Sequence, residues 1–402
     1  MLNIAVLGYG TVGSGIVEVL NTNQDSINKR AGKEINIKYV LDLREFKGDP
    51  IEDKIVHDYS IIANDPEVKI VVEVMGGVHP AYEFVKEALE KGKSVCTSNK
   101  ELVAKHGAEL LRISKEKNVN FLFEASVGGG IPIIRPLNQS LTADEIEEIS
   151  GILNGTTNYI LSKMTIEGSD YETVLKEAQV LGYAERNPAA DVEGHDACRK
   201  IAILTSLAYG MQVDFEDIYT EGITNITDID INYAKSIGAN IKMLGTSKKK
   251  DGKVYAMVAP MLINDLNPLY TVNNVFNAIF VKGNVLGNVM FYGSGAGKLP
   301  TASAVVSDIV DAAKHGNTHI MTIWSSRKLE LGDVNESKYR YFVRVPSEVK
   351  IEDVNKLFGD VEIIKLDQYS NEYGFITSEI MEREYKEKSS NLSIKNMIRV
   401  AF

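Results

Sequence analysis

The sequence contains little cysteine and tryptophan, and fewer basic than acidic residues: among 402 residues there are 2 cysteines, 1 tryptophan, and 44 Lys and Arg against 55 Asp and Glu, a net charge of −11. The two cysteines, Cys96 and Cys198, cannot form a disulfide framework or a tetrahedral thiolate metal site, which indicates a reducing cytoplasm. The acidic balance argues against nucleic acid or an anionic membrane as a partner. No run reaches roughly 18 apolar residues and the N-terminus has no signal-peptide pattern, so we expect a soluble cytoplasmic protein.

Apolar residues are arranged differently in successive parts of the chain. Near-continuous apolar runs alternate with amphipathic helical segments over 1–130, which predicts an α/β fold with a doubly wound parallel sheet. Residues 131–320 combine helical and strand-like stretches and end in a helix expected to begin at Pro300, so a central α+β domain is predicted. A polar linker is predicted at 321–338, and period-two alternation predicts a small βαββαβ unit over 339–402.

A complete G-x-G-x-x-G motif, GYGTVG, follows the first apolar run at residues 8–13. In a strand–turn–helix setting, Gly8 permits the tight turn, Gly10 lets the backbone approach a pyrophosphate, and Gly13 permits close packing of the helix. The N-terminus of that helix then presents N–H groups to the phosphates. A turn that needs glycine only for its own conformation is the alternative, but the setting favours a Rossmann-like dinucleotide site.

Two charges after the second apolar run have opposite implications for the cofactor. Asp42 could accept a hydrogen bond from a ribose 2′-hydroxyl, which favours NAD, whereas Arg44 could pair with a 2′-phosphate, which favours NADP. Either could also be a solvated loop charge. We favour Arg44 and NADP, and NAD stays open.

Two further segments end predicted strands. Lys100, in TSNK at 97–100, would point into the crevice at the carboxyl edge of a parallel sheet, although a solvated lysine at a helix start fits the fragment equally well. EASVGGGIPII at 124–134 joins one carboxylate to a glycine-rich turn, and oxygen ligands of this kind suit a hard cation. By spacing alone, a strand end followed by a Gly-Pro turn is the favoured interpretation.

The densest group of charged side chains lies in GYAERNPAADVEGHDACRK at 182–200. Asp196 and Lys200 have i,i+4 spacing, so one helix face presents both. A lysine there could shuttle a proton if neighbouring carboxylates and burial adjust its pKa, although spacing alone favours an exposed Asp–Lys pair. His195 lies between these groups, but no paired-histidine spacing occurs, so no zinc site is predicted.

Taken together, six segments resemble homoserine dehydrogenases over nearly the whole chain. They are GYGTVG (8–13), TSNK (97–100), EASVGGGIPII (124–134), ILNGTTNYI (152–160), LGYAERNPAADVEGHDACRKIAIL (181–204) and GSGAGKLPTASAVVSDI (293–309). The resemblance implies NAD(P)-dependent interconversion of L-aspartate 4-semialdehyde and L-homoserine, a branch step toward threonine, isoleucine and methionine. It also implies a homodimer or homotetramer, a catalytic and dimerisation role for the central domain, and a Rossmann domain completed by residues 300–320.

The resemblance further implies roles for individual residues. Lys200 would be the general acid/base that protonates the aldehyde oxygen, and Lys100 the second lysine near nicotinamide and substrate. The carboxylates implied to hold the substrate are those of Glu185, Asp191 and Asp196. The implied cofactor set is Gly8, Gly10, Thr11, Val12, Gly13, Arg44, Ser98, Lys100, Gly182, Glu185 and Gly295. A structural sodium ion is implied at Glu124 and the carbonyl groups of Val127, Gly129 and Ile131.

Three features depart from the family pattern. Arg186 and Asn187 stand where a small residue and Asp are frequent, beside the substrate loop, and Ser294 stands where proline is common. The tail 339–402 resembles an ACT domain, but its turn RVPSEVKIED lacks the Asp-x-Pro-Gly pattern of effector-binding versions. Threonine feedback is therefore not predicted, and the tail is expected to support oligomer contacts.

Two other functions compete with this prediction. A phosphorylating semialdehyde dehydrogenase would need a thiolate nucleophile paired with a histidine, and Cys96 and Cys198 both have core-like settings. A nucleotide- and amino-acid-sensing protein without turnover would be free to lose the lysines and carboxylates that are intact here. Both alternatives rank below the oxidoreductase.

Overall fold

The first part of the computed structural model, which describes residues 1–316 and 318–402, is a six-stranded parallel sheet with helices. Its elements are β1 (Leu2–Leu7), α1 (Thr11–Thr22), α2 (Gln24–Ala31), β2 (Ile35–Leu41), β3 (Ile55–Val56), α3 (Tyr59–Asn64), β4 (Val68–Glu73), α4 (Ala81–Glu90), β5 (Ser94–Thr97), α5 (Lys100–Glu116) and β6 (Phe121–Leu122). The strand order is β3-β2-β1-β4-β5-β6, and each neighbouring pair is parallel. This is the order of a dinucleotide-binding sheet, with its direction of winding reversed between β1 and β4.

The central part of the chain is built on an antiparallel sheet. Its elements are β7 (Ile146–Ile152), α6 (Gly155–Glu167), α7 (Tyr171–Val180), α8 (Ala189–Val192), α9 (His195–Tyr209), β8 (Met211–Gln212), β9 (Tyr219–Thr220), α10 (Asp228–Ser236), β10 (Ala239–Lys250), β11 (Lys253–Asn264), β12 (Phe276–Gly283), β13 (Gly287–Ser294) and α11 (Lys298–Lys314). Strands β13, β12, β7, β10 and β11 lie side by side, each pair antiparallel. Helices α6, α9 and α10 pack against β10.

Helix α11 leaves the central part and packs against α1 of the first sheet. Its predicted apolar face is confirmed, because the following side chains are all buried: Ala302, Val305, Val306, Ile309 and Ala313. The helix begins at Lys298 rather than at Pro300. Within the described residues, α11 and the other helices are too short or too polar to cross a membrane.

The tail adds four main strands and two helices. Its elements are β14 (Ser325–Lys328), β15 (Lys338–Pro346), α12 (Ile351–Phe358), β16 (Glu362–Ile364), β17 (Glu372–Ile376), β18 (Ile380–Met381), α13 (Glu382–Ser389) and β19 (Asn396–Val400). From β15 onward the order is β19-β15-β17-β16, all antiparallel, which confirms the predicted βαββαβ plan and with it the fold class. Strand β19 pairs with β11 in parallel, so the four main tail strands continue the five of the central sheet, and short β9 and β18 bring the described sheet to 11 strands.

The segment 321–338, predicted as a linker, is attached to the central part and to the first part of the chain. Strand β14 pairs with β8, and the buried Trp324 donates from Nε1 to Gln212 Oε1 at 3.1 Å. The indole also packs so closely on Gly107 of α5 that a Cβ there would lie 2.9 Å from it. The connection to the tail is therefore part of the packed structure.

Lys242 on β10 is a fully buried cation, and its hydrogen-bond partners among the described residues are all neutral. Its Nζ donates to Val272 O at 2.6 Å, to Asn273 Oδ1 at 2.9 Å and to Asn158 Oδ1 at 3.2 Å. These bonds join β10, α6 and the segment before β12. Burial lowers the pKa of Lys242 to about 8.

Between about pH 8 and pH 10.5, the unfolded chain binds a proton that the folded Lys242 has released, so this residue makes stability rise with pH. We expect the free energy of unfolding of the wild type to rise by about 3 kcal/mol relative to Lys242→Met across that window. Urea unfolding followed by circular dichroism measures it, with Lys250→Met, at the exposed end of the same strand, as control. A wild-type minus Lys242→Met difference that does not change with pH would contradict this account.

Candidate functional site

The glycine motif lies at the carboxyl end of β1, where the chain turns into α1. Gly8 has a φ of +99°, which L side chains disfavour, and a Cβ on Gly13 would collide with the carbonyl group of Gly8. Among the described residues, no atom lies within 4 Å of a Cβ placed on Gly10, and no side chain caps α1. The N–H groups of Thr11 and Val12 are therefore available to an anion, as the pyrophosphate of a dinucleotide requires.

Asp42 and Arg44 form one ion pair beside this turn. Arg44 donates from Nε and Nη2 to the Asp42 carboxylate, each at 2.9 Å, and the Tyr9 N–H donates to the same carboxylate at 2.8 Å. The hydrogen bond from Arg44 outweighs burial and holds the pKa of Asp42 well below its usual range. Because the Asp42 side chain is 9% exposed and that of Arg44 61%, the guanidinium is the group that a ligand reaches.

A buried carboxylate, that of Asp196, pairs with two lysines from different helices. Lys100, the first residue of α5, places Nζ 2.5 Å from Asp196 Oδ1. Lys200, one turn further along α9 than Asp196, places Nζ 2.8 Å from Oδ2. Asn154 joins the group, because its Nδ2 donates to Asp196 Oδ2 at 2.9 Å and to Asp191 Oδ1 at 2.7 Å. The Asp–Lys pair that spacing alone marks as exposed is thus buried.

This Lys–Asp–Lys group stands at the same edge of the first sheet as the glycine turn. Helix α5 begins soon after β5, and the carboxyl ends of parallel β1, β4 and β5 share one edge. Open sheets of this kind bind ligands in the crevice at that edge. The ion pair between Lys100 and Asp196 places Asp196 and Lys200 of α9 at this edge of the sheet.

Burial and charge give the two lysines different proton affinities. Burial lowers the pKa of Lys200, and the Lys100 cation adds to this against the opposing effect of Asp196. Burial also lowers the pKa of Lys100, but contact with Asp196 outweighs it and leaves that pKa raised. Burial would raise the pKa of Asp196, yet the two cations hold it well below its usual range. Lys200 therefore releases a proton more readily, which suits a general acid and base.

Of the remaining predicted substrate residues, Glu185 lies within an exposed loop and Asp191 lies in the short helix that follows it. Asp191, in α8, is held by Asn154, and burial raises its pKa. Glu185 and Gly182 are exposed between α7 and α8, and Gln179 Nε2 donates to the Glu185 carbonyl at 3.1 Å. In the part of the chain that the structure describes, no recorded hydrogen bond or ion pair joins the Glu185 carboxylate to Asp196.

Ser98 and Gly295 lie in turns that are held by backbone contacts. The Ser98 N–H donates to the carbonyl of Glu73 at 3.4 Å, at the ends of β5 and β4. A Cβ on Gly129 would collide with the carbonyl of Gly295, and the Gly130 N–H donates to the Ser294 carbonyl at 3.0 Å. The two glycine-rich turns at 128–130 and 293–297 therefore pack directly on each other.

The carboxylate of Glu124 is hydrogen-bonded to three backbone amides. It accepts hydrogen bonds of 2.6 to 2.8 Å from the N–H groups of Ile133, Ile134 and Arg135. These three bonds occupy most of the acceptor positions of the carboxylate, which leaves the backbone carbonyl of Glu124 as its freer ligand for a cation. Three neighbouring carbonyl oxygens accept no hydrogen bond from any described backbone amide outside regular helices and strands. They are those of Val127, Gly129 and Ile131. Oxygen donors of this kind fit a hard cation.

Glu73 and Asn154 support the site, and neither is among the predicted site residues. Glu73 is fully buried and accepts the Thr97 hydroxyl at 2.6 Å, while Thr97 Oγ1 accepts the Asn99 N–H at 2.9 Å. Asn99 caps α5 and so orients Lys100. Two features of the sequence could have identified them. Glu73 is a lone acid in the apolar run VKIVVEV, and Asn154 precedes a helix in NGTTNYI.

Neither cysteine is placed to act as a thiolate nucleophile. Cys96 and Cys198 are both free and buried, and burial raises the pKa of each thiol. A thiolate is therefore disfavoured at both positions, which argues against the phosphorylating dehydrogenase.

A phosphate-binding glycine turn and a buried Lys–Asp–Lys group at one edge of a parallel sheet define a dinucleotide-dependent oxidoreductase. Residues 8–124 match the family model for the homoserine dehydrogenase NAD-binding domain, and residues 132–310 match that for homoserine dehydrogenase. A homoserine dehydrogenase of Bacillus subtilis is 45% identical over 318 residues, covering 78% of this chain and 73% of that protein. One of Helicobacter pylori is 41% identical over 365 residues, covering 90% and 85%.

Solved structures agree with these sequence matches. A homoserine dehydrogenase from Thiobacillus denitrificans superimposes with a TM-score of 0.91 at 34% identity, covering 100% of this chain and 98% of that one. A hyperthermophilic archaeal homoserine dehydrogenase in complex with NADPH has a TM-score of 0.67 at 30% identity, covering 77% and 97%. The chain belongs to the homoserine dehydrogenase family of NAD(P)-dependent oxidoreductases, which confirms the resemblance inferred from the six segments.

Asn154→Ala removes both the N-cap of α6 and the amide between Asp191 and Asp196. We expect a loss of about 1 kcal/mol of stability from the cap, and a further rise in the pKa of Asp191, because the Asn154 hydrogen bond lowers it. Thermal unfolding and NMR titration of labelled aspartates measure the two effects. Asp170→Ala, which removes the similar cap of α7, is the control that should reproduce only the first. An Asp191 titration that is the same in both variants would refute this role.

Proposed function

We propose that the protein interconverts L-homoserine and L-aspartate 4-semialdehyde with NADP, in a branch step toward threonine, isoleucine and methionine. The observation that carries this proposal is the Lys100–Asp196–Lys200 group at the sheet edge that also holds the glycine turn. An amino-acid alcohol needs a base for its hydroxyl group and carboxylates for its ammonium group, and both kinds of group lie here. Family membership supports the same substrates.

The proposed cofactor set follows the shape of the crevice. The glycine turn and the first N–H groups of α1 would hold the pyrophosphate, and Arg44 would hold a 2′-phosphate. The other members of the proposed set are Ser98, Lys100, Gly182, Glu185 and Gly295. When bound, the dinucleotide supplies the hydride acceptor or donor for the alcohol carbon.

Lys200 is the proposed general acid and base. Its neutral amine takes the hydroxyl proton as the alcohol is oxidised, and the ammonium returns that proton to the aldehyde oxygen in reduction. The Leu153 carbonyl, at 2.8 Å from Nζ, and Asp196 aim the amine. Because Asp196 already pairs with both lysines, we assign the substrate ammonium mainly to Asp191, with Glu185 reaching it from the exposed loop.

The packing supports the proposed domain limits. Helix α11 against α1 supports a Rossmann domain of 1–130 completed by 300–320, and the strand order of the tail supports an ACT-like unit at 339–402. The catalytic domain is then 131–320, joined to the tail by 321–338.

Three further proposals concern the state of the protein. A homodimer or homotetramer is supported by edge strand β13, whose Met290 and Tyr292 are 40% and 54% exposed. A cytoplasmic location is supported by two free cysteines. A structural sodium ion is supported by the carbonyl oxygens of the 127–131 turn, with Glu124 contributing its backbone carbonyl.

The direct test is to incubate the purified protein with L-homoserine and NADP⁺, then with NAD⁺, and to follow reduced nicotinamide by its absorbance. We expect homoserine-dependent reduction in the wild type and none in Lys200→Ala, which should still bind NADP⁺ because Lys200 lies outside the glycine turn. Turnover at the wild-type rate in Lys200→Ala would remove that residue from its role. Folded wild-type protein that binds nucleotide but gives no signal would point to another substrate or to the sensor.

Arg44→Ala tests the choice of cofactor. Loss of a charge-assisted contact with a 2′-phosphate is worth about 1.5–3 kcal/mol, so we expect affinity for NADP to fall roughly 10- to 100-fold while affinity for NAD changes little. Binding titrations with each nucleotide measure the ratio. Lys47→Ala removes an exposed charge from the same loop and should leave the ratio unchanged. An equal loss for both nucleotides in Arg44→Ala would contradict a 2′-phosphate contact.

A further inference from the structure

The tail reaches the substrate side of the molecule along one edge of β11. Strand β19 pairs with β11 at Met261 and Leu262, and the short strand β9 pairs in parallel with the same β11 at Met257 and Val258. Strands β9 and β19 are therefore successive partners of one strand. The end of the chain and the segment after β9 come into contact there.

Arg399 on β19 makes that contact, and its side chain is 1% exposed. It donates from Nη1 to Glu221 Oε2 at 2.7 Å and from Nη2 to the Tyr219 hydroxyl at 3.3 Å, with its guanidinium 5.0 Å above the Tyr219 ring. Its other donors form a two-point pair with Glu382 at 2.6 and 3.0 Å. Because a buried guanidinium needs each of these partners, Glu221 and its backbone are held in one place.

The residues that follow Glu221 hold α8. The Ile223 N–H donates to the Val192 carbonyl at 2.8 Å, and a Cβ on Gly222 would collide with Val192 and Glu193. The Glu221 N–H is itself tied to the Val258 carbonyl at 2.8 Å. Val192 directly follows Asp191, so the segment 221–223 fixes the backbone next to the carboxylate assigned to the substrate ammonium.

We propose that Arg399 is a positioning residue for Asp191, acting through Glu221 and Gly222, so that the tail forms part of the support of the substrate site. This inference rests on the proposed function. Helix α8 has only four residues and follows an exposed loop, so it gains little rigidity from its own hydrogen bonds. The contact with 221–223 supplies the rigidity from outside.

A second buried arginine of the tail provides a matched comparison. Arg344 on β15 donates to Glu372 at 2.8 and 3.1 Å and to Asp230 of α10 at 2.7 Å, and its side chain is 5% exposed. It therefore fastens the tail to the central part much as Arg399 does, but at the start of α10, where it also donates to Thr227 Oγ1 at 3.0 Å, rather than at Glu221. Loss of tail docking alone should affect both arginine variants equally.

The test compares Arg399→Met with Arg344→Met in the full-length protein. We expect similar losses of thermal stability in the two. In Arg399→Met alone, kcat/KM for L-homoserine should fall roughly 10- to 100-fold, mainly through KM, with the Kd for NADP⁺ unchanged. Hydrogen exchange of the amides of 189–194 should quicken in Arg399→Met and not in Arg344→Met, which is a readout independent of turnover. Arg399→Lys should restore part of the homoserine affinity.

Equal homoserine kinetics and equal exchange in the two arginine variants would overturn the proposal. If Arg399→Met does not fold, Glu221→Ala decides, since the Glu221 side chain is 32% exposed and the change removes the acceptor of Arg399 Nη1. A raised homoserine KM with normal NADP⁺ binding in Glu221→Ala supports the link, and an unchanged KM overturns it. A wild type without homoserine turnover refutes the proposed function instead, and the exchange measurement then still tests the link from Arg399 to α8.

Discussion

The charge of Asp196 is the constraint on which the candidate site depends. A carboxylate withdrawn from water is strongly unfavourable unless cations and hydrogen-bond donors surround it. Here the two oxygens of Asp196 meet one lysine each, Lys100 from the helix after β5 and Lys200 from its own helix. The first sheet and the central helices must therefore come together at this point, and the same ion group that joins them sets the unequal proton affinities of the two lysines.

The tail follows the same physical rule at a different place. Arg344 and Arg399 are both buried, and each pairs with one carboxylate from the central part of the chain and one from the tail. Together with the pairing of β19 and β11, these ion pairs make the small βαββαβ unit continuous with the central sheet. The sequence predicts this unit as a separate domain, but strand pairing and ion pairs connect it to the part of the chain that carries Asp191.

Much of the fold was predictable from patterns among residues that are close in the sequence. The glycine motif, the alternation of apolar runs with helices and the buried face of α11 depend on neighbouring residues, and the structure has each of them. Spacing alone failed for Asp196 and Lys200, because an i,i+4 pair has the same pattern whether water or another helix covers it. Glu73 and Asn154 were not predicted for a related reason. The role of a single polar residue in an apolar run depends on its hydrogen-bond partners, which are distant in the sequence.

The fold class and, through six ordered segments, the family follow from the amino-acid sequence, because periodicity and glycine requirements are properties of the local chain. The sequence also marked Lys100, Asp196 and Lys200 as candidates. The three-dimensional contacts were needed to show that Lys100 and Lys200 share one carboxylate, that the Glu124 carboxylate accepts bonds from backbone amides, and that Arg399 contacts the segment beside α8. Each of these contacts is between residues that are far apart in the chain. Burial, charge pairing and proton affinity depend on the residues that are close in space, and the local sequence does not specify those.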